Sequence, residues 1–246
     1  MRLERKPGFY EKNIKRLLDI ICSLLFIIVF CWLYVIIAVI VRVKMGGPVL
    51  FKQPRPGIIK NGKETIFDMY KFRSMTDAKD ANGNLLPDDQ RLPKFGAMLR
   101  STSLDELPEV FCILKGDMSV IGPRPQLVRD MVFMSDEQRM RHTAKPGLTD
   151  LAQVMGRNAI TWEEKLNWDL KYIEKVSFLG DVKILFQTVA AVFKRSGITD
   201  GENATALDYG DALLKDGRVS KSQYDALQVE ARTLIEEHER GKEACR

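Results

Sequence analysis

One long apolar run near the N-terminus dominates the hydrophobic pattern of this chain. Residues 20–41 carry no formal charge, and Ser23 is their only strongly polar side chain. A run of this length can cross the hydrocarbon core of a bilayer as a helix. Arg42 and Lys44 follow it directly, whereas a cleaved signal peptide would have a shorter apolar core followed by small residues. The pattern therefore predicts a retained membrane anchor.

The topology of this anchor stays open on the residues alone. Basic residues flank both ends, so the excess of Lys and Arg typical of the cytoplasmic side does not distinguish the two ends. A helix that enters and leaves on one side would explain the symmetry, but it needs a break in its middle, usually at proline. Because no proline lies between Ile14 and Gly47, the residues by themselves favour a straight span.

After the anchor, the pattern predicts a mixture of short extended segments and amphipathic helices. Extended pieces at 49–51 and 65–67 lie among glycines and prolines, and residues 76–93 are typical of a surface loop. Apolar residues at helical spacing predict three helices, over residues 104–114, 162–176 and 181–194. This mixture predicts a compact α/β domain that is mostly α.

The chain from Gly197 onward has a different composition. It carries 7 Lys and Arg against 11 Asp and Glu, while the preceding 196 residues carry the remaining 31 against 22. A short helix over 208–215 and a long polar helix over 220–239 predict a helical hairpin used for self-association or docking. The sequence thus divides into three parts, which are an anchor at 1–45, a central domain at 46–196 and a helical extension at 197–246.

The basic excess lies in the part of the chain that contains the anchor. Such a distribution favours contact with anionic lipid or with phosphorylated substrates. No nucleic-acid reader motif is present, so we expect no nucleic acid as a partner. The four cysteines have neither the paired spacing of a metal site nor that of a disulfide framework, which favours a reducing, cytosolic exposure of the soluble part.

Two adjacent carboxylates, Asp105 and Glu106, are the first candidates for chemistry. Neighbours on a helix lie about 100° apart, so the two could divide their roles, one attacking and one holding a cation. A purely structural alternative is a capping box formed by Ser103 and Glu106, because acids are favoured in the first turn of a helix. Both interpretations stay open on the residues alone.

A set of basic residues favours the chemical interpretation. Arg100, Arg124 and Arg157 lie among prolines and glycines that fix the direction of the backbone, and guanidinium groups held in this way suit bidentate phosphate recognition. Lys71 and Arg73 add two cations directly after a predicted strand. Together these residues predict a diphosphate site that would take a metal ion.

Three further polar residues carry weaker signals. Asp181 begins the third predicted helix, where it could cap the helix or contact substrate; the cap is favoured, and we keep Asp181 among the candidate substrate-binding residues. His142 and His238 have no Cys or His nearby in sequence for a metal site and no serine elbow for a triad, so neither receives a role.

Several motifs occur together in one order along the chain. They are Lys15-Arg16-Leu-Leu-Asp19, Gly47-Pro48-Val-Leu-Phe51-Lys-Gln53, Lys71-Phe-Arg73-Ser-Met75, the block 99–125, Lys145-Pro-Gly-Leu-Thr149 and Gly156-Arg157-Asn158. This order resembles the monotopic phosphoglycosyl transferases, the bacterial sugar transferase family that starts polysaccharide and glycoprotein glycan assembly on undecaprenyl phosphate. The resemblance covers about residues 12–196 and does not reach the tail.

The resemblance implies a membrane topology and a site. It implies a re-entrant N-terminal helix with both ends cytoplasmic and a domain resting on the inner membrane, although Cys31-Trp32 stands where the family usually has Ser-Pro. It implies that Asp105 is the nucleophile and Glu106 a Mg²⁺ ligand. It also implies that several of the basic residues serve the nucleotide-sugar region, namely Lys71, Arg100, Arg124 and Arg157.

The resemblance also implies a reaction, in which a UDP-sugar gives its sugar phosphate to a polyprenol phosphate through a covalent intermediate on Asp105, with release of UMP. Two other functions were weighed against it. A non-catalytic membrane scaffold would bind anionic lipid and a partner protein, and a membrane-bound hydrolase would release product without consuming the polyprenol phosphate. A homodimer formed through the membrane-proximal surface or the tail is a further expectation.

Overall fold

The N-terminal region of the protein is one long helix. The structure is a computed structural model, which describes residues 5–156, 160–193 and 207–244. A π-helical turn over Tyr10–Ile14 leads into α1 (Lys15–Met45), which ends where Gly46 adopts a positive φ of 77°. Within the described ranges, Tyr10–Met45 is the one helix long and apolar enough to cross a membrane. This agrees with the predicted anchor.

Helix α1 continues without interruption through Cys31 and Trp32. The break expected there for a re-entrant hairpin is therefore not seen, and re-entry is not confirmed. The physical reason is that the segment has no proline, so no intrahelical amide donor is lost.

One face of α1 packs against the rest of the protein near both of its ends. Lys15 and Asp19 are buried at the N-terminal end, and Ile37 and Val41 are buried at the C-terminal end. Arg16 strengthens the first contact by donating to the carbonyl oxygens of Ile113 and Leu114. The opposite face leaves many large apolar side chains exposed, among them Leu25, Ile28, Val29, Val35 and Val43.

A β-hairpin follows the anchor. Strands β1 (Leu50–Lys60) and β2 (Lys63–Phe72) pair antiparallel, from Leu50 opposite Phe72 to Lys60 opposite Lys63. Asn61 and Gly62 connect them with φ values of 53° and 78°, which suits the Asn-Gly turn favoured in two-residue hairpins. The strands are longer than the short pieces that the sequence predicted, and β2 ends next to the candidate residues Lys71 and Arg73.

The segment between the hairpin and the site is largely irregular, as the sequence predicted for 76–93. It contains only an isolated bridge between Lys79 and Leu85 and the one-turn helix α2 (Asp88–Arg91). Helix α3 (Lys94–Ser101) follows and carries Arg100.

The helix predicted over 104–114 is confirmed only in its second half. A 3₁₀ turn over Leu104–Glu106 comes first, and α4 (Glu109–Lys115) begins after Pro108. Proline has no amide hydrogen to continue a helix but is accepted at a helix start, so Pro108 divides the segment.

A second small sheet lies beyond α4. Strands β3 (Ser119–Ile121) and β4 (Gly147–Thr149) pair in parallel, and a Cβ on Gly147 would come within 2.1 Å of the Gly122 nitrogen. Only glycines allow this close approach. The Asp19 carboxylate of α1 accepts hydrogen bonds from the Ser119 hydroxyl and the Val120 amide, both at 2.9 Å, and so connects this sheet to the anchor.

Most of the remaining helices of the central domain are short, and the last two are longer. Between the two strands lie α5 (Val128–Met131), α6 (Asp136–Arg139) and a 3₁₀ turn over Met140–Thr143. After them come α7 (Leu151–Met155), α8 (Trp162–Glu174) and α9 (Phe178–Phe193). The predicted helix over 162–176 is confirmed, and a capping box of Thr161 and Glu164 starts it. The helix predicted from Asp181 begins three residues earlier, so Asp181 lies in its first turn.

The C-terminal extension, residues 207–244, packs onto the central domain. It consists of α10 (Tyr209–Lys215) and α11 (Lys221–Ala244), close to the two helices predicted there. Ala231 of α11 is buried in an apolar cluster with three residues of the α5 region, Val128, Met131 and Val132. The protein is thus mostly helical with two small sheets, which confirms that part of the predicted fold class.

Candidate active site

An ion-paired carboxylate lies at the centre of the site. Lys71 Nζ lies 2.7 Å from Glu106 Oε1, and Arg124 Nη2 lies 2.6 Å from the same oxygen. Lys71 comes from the end of β2, and Arg124 follows β3 in the Gly122-Pro-Arg sequence. The structure therefore brings together three of the predicted site residues from three separate parts of the chain.

The backbone before Glu106 explains why its side chain turns towards these cations. Ser103 adopts a left-handed conformation with φ 54°, and its side chain makes no capping hydrogen bond. The capping box considered for Ser103 and Glu106 is therefore not formed, and the Glu106 carboxylate is available to the two basic residues.

Asp105 is buried beside Glu106. Its side chain is 8% exposed, and no side chain within the described ranges donates a hydrogen bond to its carboxylate. Burial raises the pKa of Asp105, the charge of Glu106 raises it further, and the positive charges of Lys71 and Arg100 oppose both effects. A carboxylate that is poorly solvated yet close to cations can act as a nucleophile once a substrate phosphate approaches.

A third carboxylate, Glu109, belongs to the same cluster, and the sequence did not single it out. It is 2% exposed, and its Oε1 lies 3.2 Å from Lys71 Nζ. Burial and the nearby Glu106 raise the pKa of Glu109, whereas the two neighbouring cations overcome burial and lower the pKa of Glu106. Its position three residues after Glu106 gave no clear signal, because Pro108 separates the two residues into different helical segments.

Arg73 and Arg100 hold the loop that follows β2. Arg73 donates to the carbonyl oxygens of Gly47 at 2.6 Å and Met75 at 3.0 Å, and it pairs with Asp77. Arg100 Nε donates to the Ser74 hydroxyl at 2.9 Å. Arg100 also lies close enough to Asp105 to affect its pKa, whereas the Arg73 contacts are those of a loop-bracing residue.

Asp181 makes a different set of contacts. Its carboxylate accepts hydrogen bonds from the hydroxyls of Tyr10 and Tyr172, both at 2.9 Å, and from Lys15 Nζ at 2.5 Å. These contacts connect the start of α1 to α8 and α9, and none of them involves Glu106 or Arg124. A substrate role for Asp181 stays a prediction. The predicted residue Arg157 lies outside the described residues.

Two arginines that the sequence did not single out support the Arg124 segment. Arg55 Nη1 donates to the Pro125 carbonyl at 2.9 Å, and Arg141 Nη2 donates to the Arg124 carbonyl at 2.5 Å. Arg141 is also paired with Asp169, both fully buried. These contacts hold two successive carbonyls that follow the Arg124 side chain, which pairs with Glu106.

A magnesium ion at Glu106 stays a prediction, because Lys71 and Arg124 already contact one of its oxygens. Mg²⁺ is commonly bound through one or two carboxylates together with substrate phosphates and waters, and Glu106 supplies one such carboxylate beside Asp105. Among the described residues, the one close group of three potential ligands is Asp68, His238 and Glu239. Lys242 Nζ already lies 2.8 Å from both Asp68 oxygens there, so this group is satisfied by an ammonium.

Comparison with known proteins places the chain in a family. A model described as "Bacterial sugar transferase" matches residues 10–195. The sugar transferase EpsL of Bacillus subtilis is 44% identical over 193 residues, which cover 78% of this chain and 94% of that protein. The chain therefore belongs to the bacterial sugar transferase family.

Two longer relatives carry more specific names. The undecaprenyl-phosphate galactose phosphotransferase of Salmonella typhimurium is 34% identical over 76% of this chain and 42% of its own length. The UDP-glucose:undecaprenyl-phosphate glucose-1-phosphate transferase of Klebsiella pneumoniae is 41% identical over 71% of this chain and 39% of its own length. The chain spans less than half the length of these two relatives.

Proposed function

We propose that the protein transfers a sugar 1-phosphate from a UDP-sugar to undecaprenyl phosphate and releases UMP. Two relatives support this reaction, because their names specify undecaprenyl phosphate and, in one case, UDP-glucose. The observation that carries the proposal is the buried Asp105 next to a Glu106 held by Lys71 and Arg124. The product would be the first membrane-bound intermediate of a polysaccharide or other glycan.

The proposed reaction has two displacement steps at one phosphorus. In the first, a carboxylate oxygen of Asp105 attacks the sugar-bearing phosphorus, the bond from that phosphorus to the bridging oxygen breaks, and UMP leaves with the electron pair. In the second, a phosphate oxygen of undecaprenyl phosphate attacks the same phosphorus, and the Asp105 carboxylate leaves unchanged. Covalent catalysis of this kind divides one difficult exchange into two easier ones.

The basic residues supply the electrostatic part of the proposed catalysis. Phosphoryl transfer depends mainly on positioning and on neutralising charge in the transition state. Lys71 and Arg124 contact Glu106 and would meet the diphosphate there, and the positive charge of Arg100 acts on Asp105. A Mg²⁺ ion on Glu106 would supply further neutralisation of the diphosphate when bound.

The packing of α1 supports an anchor with both ends on the same side of the membrane. The helix contacts the central domain through Lys15 at one end and Val41 at the other, about 39 Å apart at the usual helical rise. A straight span perpendicular to the bilayer would carry one of these ends away from the domain. We therefore infer that the helix lies along a domain resting on the cytoplasmic face, where donor and lipid acceptor meet.

The test is UMP release by the detergent-solubilised protein with Mg²⁺, undecaprenyl phosphate and a panel of UDP-sugars. Asp105→Asn should abolish release, and Asp89→Asn, an exposed carboxylate in the one-turn helix α2, is the matched control. Without the lipid, release should stop after one turnover, and multiple turnovers should require the lipid. Turnover that persists in Asp105→Asn would refute the nucleophile, multiple turnovers without the lipid would indicate a hydrolase, and no release from any donor would favour the scaffold.

A further inference from the structure

The C-terminal extension lies outside the part of the chain that the family model matches, which ends at residue 195. It nevertheless packs closely on the central domain. Ala231 is 1% exposed among Val128, Met131 and Val132, and Tyr209 and Leu213 are buried against Met134 and Leu166. Besides α8, the extension contacts α5 and β2, and each of these two elements is next to one of the two cations on Glu106.

The first contact is with α5, which begins four residues after Arg124. The Tyr209 amide donates a 2.9 Å hydrogen bond to Oδ1 of Asp130, whose side chain is 1% exposed. Asp208 pairs with Arg129 next to it. The extension therefore supplies a hydrogen-bond donor to Asp130 and a charge partner to Arg129. Without it, the buried Asp130 carboxylate would lack this hydrogen bond.

This contact continues to Arg124 through Arg55. Helix α5 packs against β1, the strand that carries Arg55, and the Asp130 carboxylate attracts the Arg55 guanidinium. Arg55 in turn donates to the Pro125 carbonyl, the peptide next to Arg124. The extension is thus linked to the backbone that presents Arg124 through α5 and Arg55.

The second contact is with β2. Asp68, three residues before Lys71, accepts hydrogen bonds from Lys242 Nζ at 2.8 Å on both oxygens. His238 Nε2 lies 3.1 Å from the same carboxylate. Both partners are on α11, so the C-terminal half of that helix holds the strand that presents Lys71.

We propose that the C-terminal extension is a positioning element that holds Lys71 and Arg124 in place around Glu106 and so sets the affinity for the nucleotide-sugar diphosphate. This inference rests on the proposed function for its substrate. The two cations come from β2 and from the segment leading into α5, and the extension holds both elements through Asp68 and Asp130. If the extension were undocked, Lys71 and Arg124 would still be present and charged, but their positions around Glu106 would be less well ordered.

The test uses the full-length protein in detergent and one substitution that undocks α11. Ala231→Glu places a charge in the buried apolar cluster, and Val229→Glu, 55% exposed on the same helix, is the matched control. We expect Ala231→Glu to raise the KM for the UDP-sugar about tenfold, the effect of weakening roughly one charge-assisted contact, with kcat changed less than about threefold. Hydrogen exchange should rise in 63–72 and 122–131, and Val229→Glu should match the wild type in both measurements.

A second variant covers the case in which Ala231→Glu fails to fold. Lys242→Met removes the contact with Asp68 and the exposed pair with Glu239, at a residue whose side chain is 35% exposed. It should raise the same KM by a smaller factor, and hydrogen exchange should rise in 63–72 alone. Unchanged exchange in these segments after undocking, or raised exchange with an unchanged KM, would overturn the proposal. If the wild type shows no turnover, the proposed function fails, and hydrogen exchange still decides whether the extension orders the two segments.

Discussion

The Tyr34 hydroxyl donates a 2.7 Å hydrogen bond to the carbonyl oxygen of Leu107. Tyr34 lies within the apolar run of α1, and Leu107 comes two residues after Asp105. The Tyr34 ring also lies against Phe72 and Phe111, with centroids 6.1 and 5.6 Å apart. The membrane anchor is therefore in direct contact with the turn that presents the candidate nucleophile.

This contact predicts that Tyr34→Phe lowers activity while keeping the anchor packed. The ring remains, but the Leu107 carbonyl loses its donor, at a cost of about 1 kcal/mol for a partly buried hydrogen bond. We expect UMP release to fall about fivefold. Trp32→Phe, on an exposed face of the same helix, is the control and should be neutral. Equal activity of Tyr34→Phe and the wild type would mean that this bond does not support the site.

Asp181 could either stabilise the fold through its pair with Lys15 or contact the substrate. Measuring both stability and KM separates these two roles. Both side chains are buried, and removing one partner of a buried pair costs about 3 kcal/mol. Asp181→Asn should therefore lower the thermal midpoint, while the KM for the UDP-sugar stays unchanged. Asp225→Asn, in an exposed pair with Lys221, should shift the midpoint little. A raised KM at normal stability would instead support the predicted substrate contact.

The carboxylate cluster predicts unequal effects of two similar substitutions. Glu106→Gln keeps the shape but leaves Lys71 and Arg124 without their shared counter-charge, so kcat should fall about a hundredfold or more and Mg²⁺ dependence should weaken. Glu109→Gln should cost less than about tenfold, because Lys71 is the one ion-pair partner of Glu109 among the described residues, at 3.2 Å. Equal losses, measured as initial rates over a Mg²⁺ titration, would contradict the central role given to Glu106.

Much of the site could be predicted from the sequence because its residues lie in short motifs. Asp105, Glu106 and Arg124 stand among prolines and glycines within one stretch of the chain, which marks them as more than surface charges. Glu109, Arg55 and Arg141 were missed for a different reason. Their roles depend on which carbonyl or ammonium lies opposite them after folding, and spacing along the chain does not give that information.

The local errors in the fold have physical causes that can be named. The helix over 104–114 followed the apolar spacing and gave too little weight to Pro108, which starts a new helix there. The capping box failed because Ser103 adopts φ 54°, a conformation that a sequence pattern does not reveal. For the acidic tail, the sequence predicted either self-association or docking. The surface to which the tail docks is formed only when α5 and β2 come together.

A buried histidine predicts how stability depends on pH. His142 is 4% exposed beside Glu64, Arg139 and Arg141, and burial lowers its pKa from 6.5 to about 4, against the opposing effect of Glu64. The unfolded chain therefore takes up this proton below about pH 6.5, whereas the folded protein takes it up only below about pH 4. Stability should be lost as the pH falls through this window, by about 3 kcal/mol in total.

The measurement is the thermal midpoint of the detergent-solubilised protein between pH 7.5 and 4.5, compared with that of His142→Gln. The variant cannot titrate at this position, so its midpoint should decrease less steeply as the pH falls, whatever its stability at pH 7.5. The lowered pKa of Glu64, about 2, contributes at lower pH, between 4.5 and 2, and does not interfere with the comparison. Parallel pH profiles for the two proteins would show that His142 is not the group responsible.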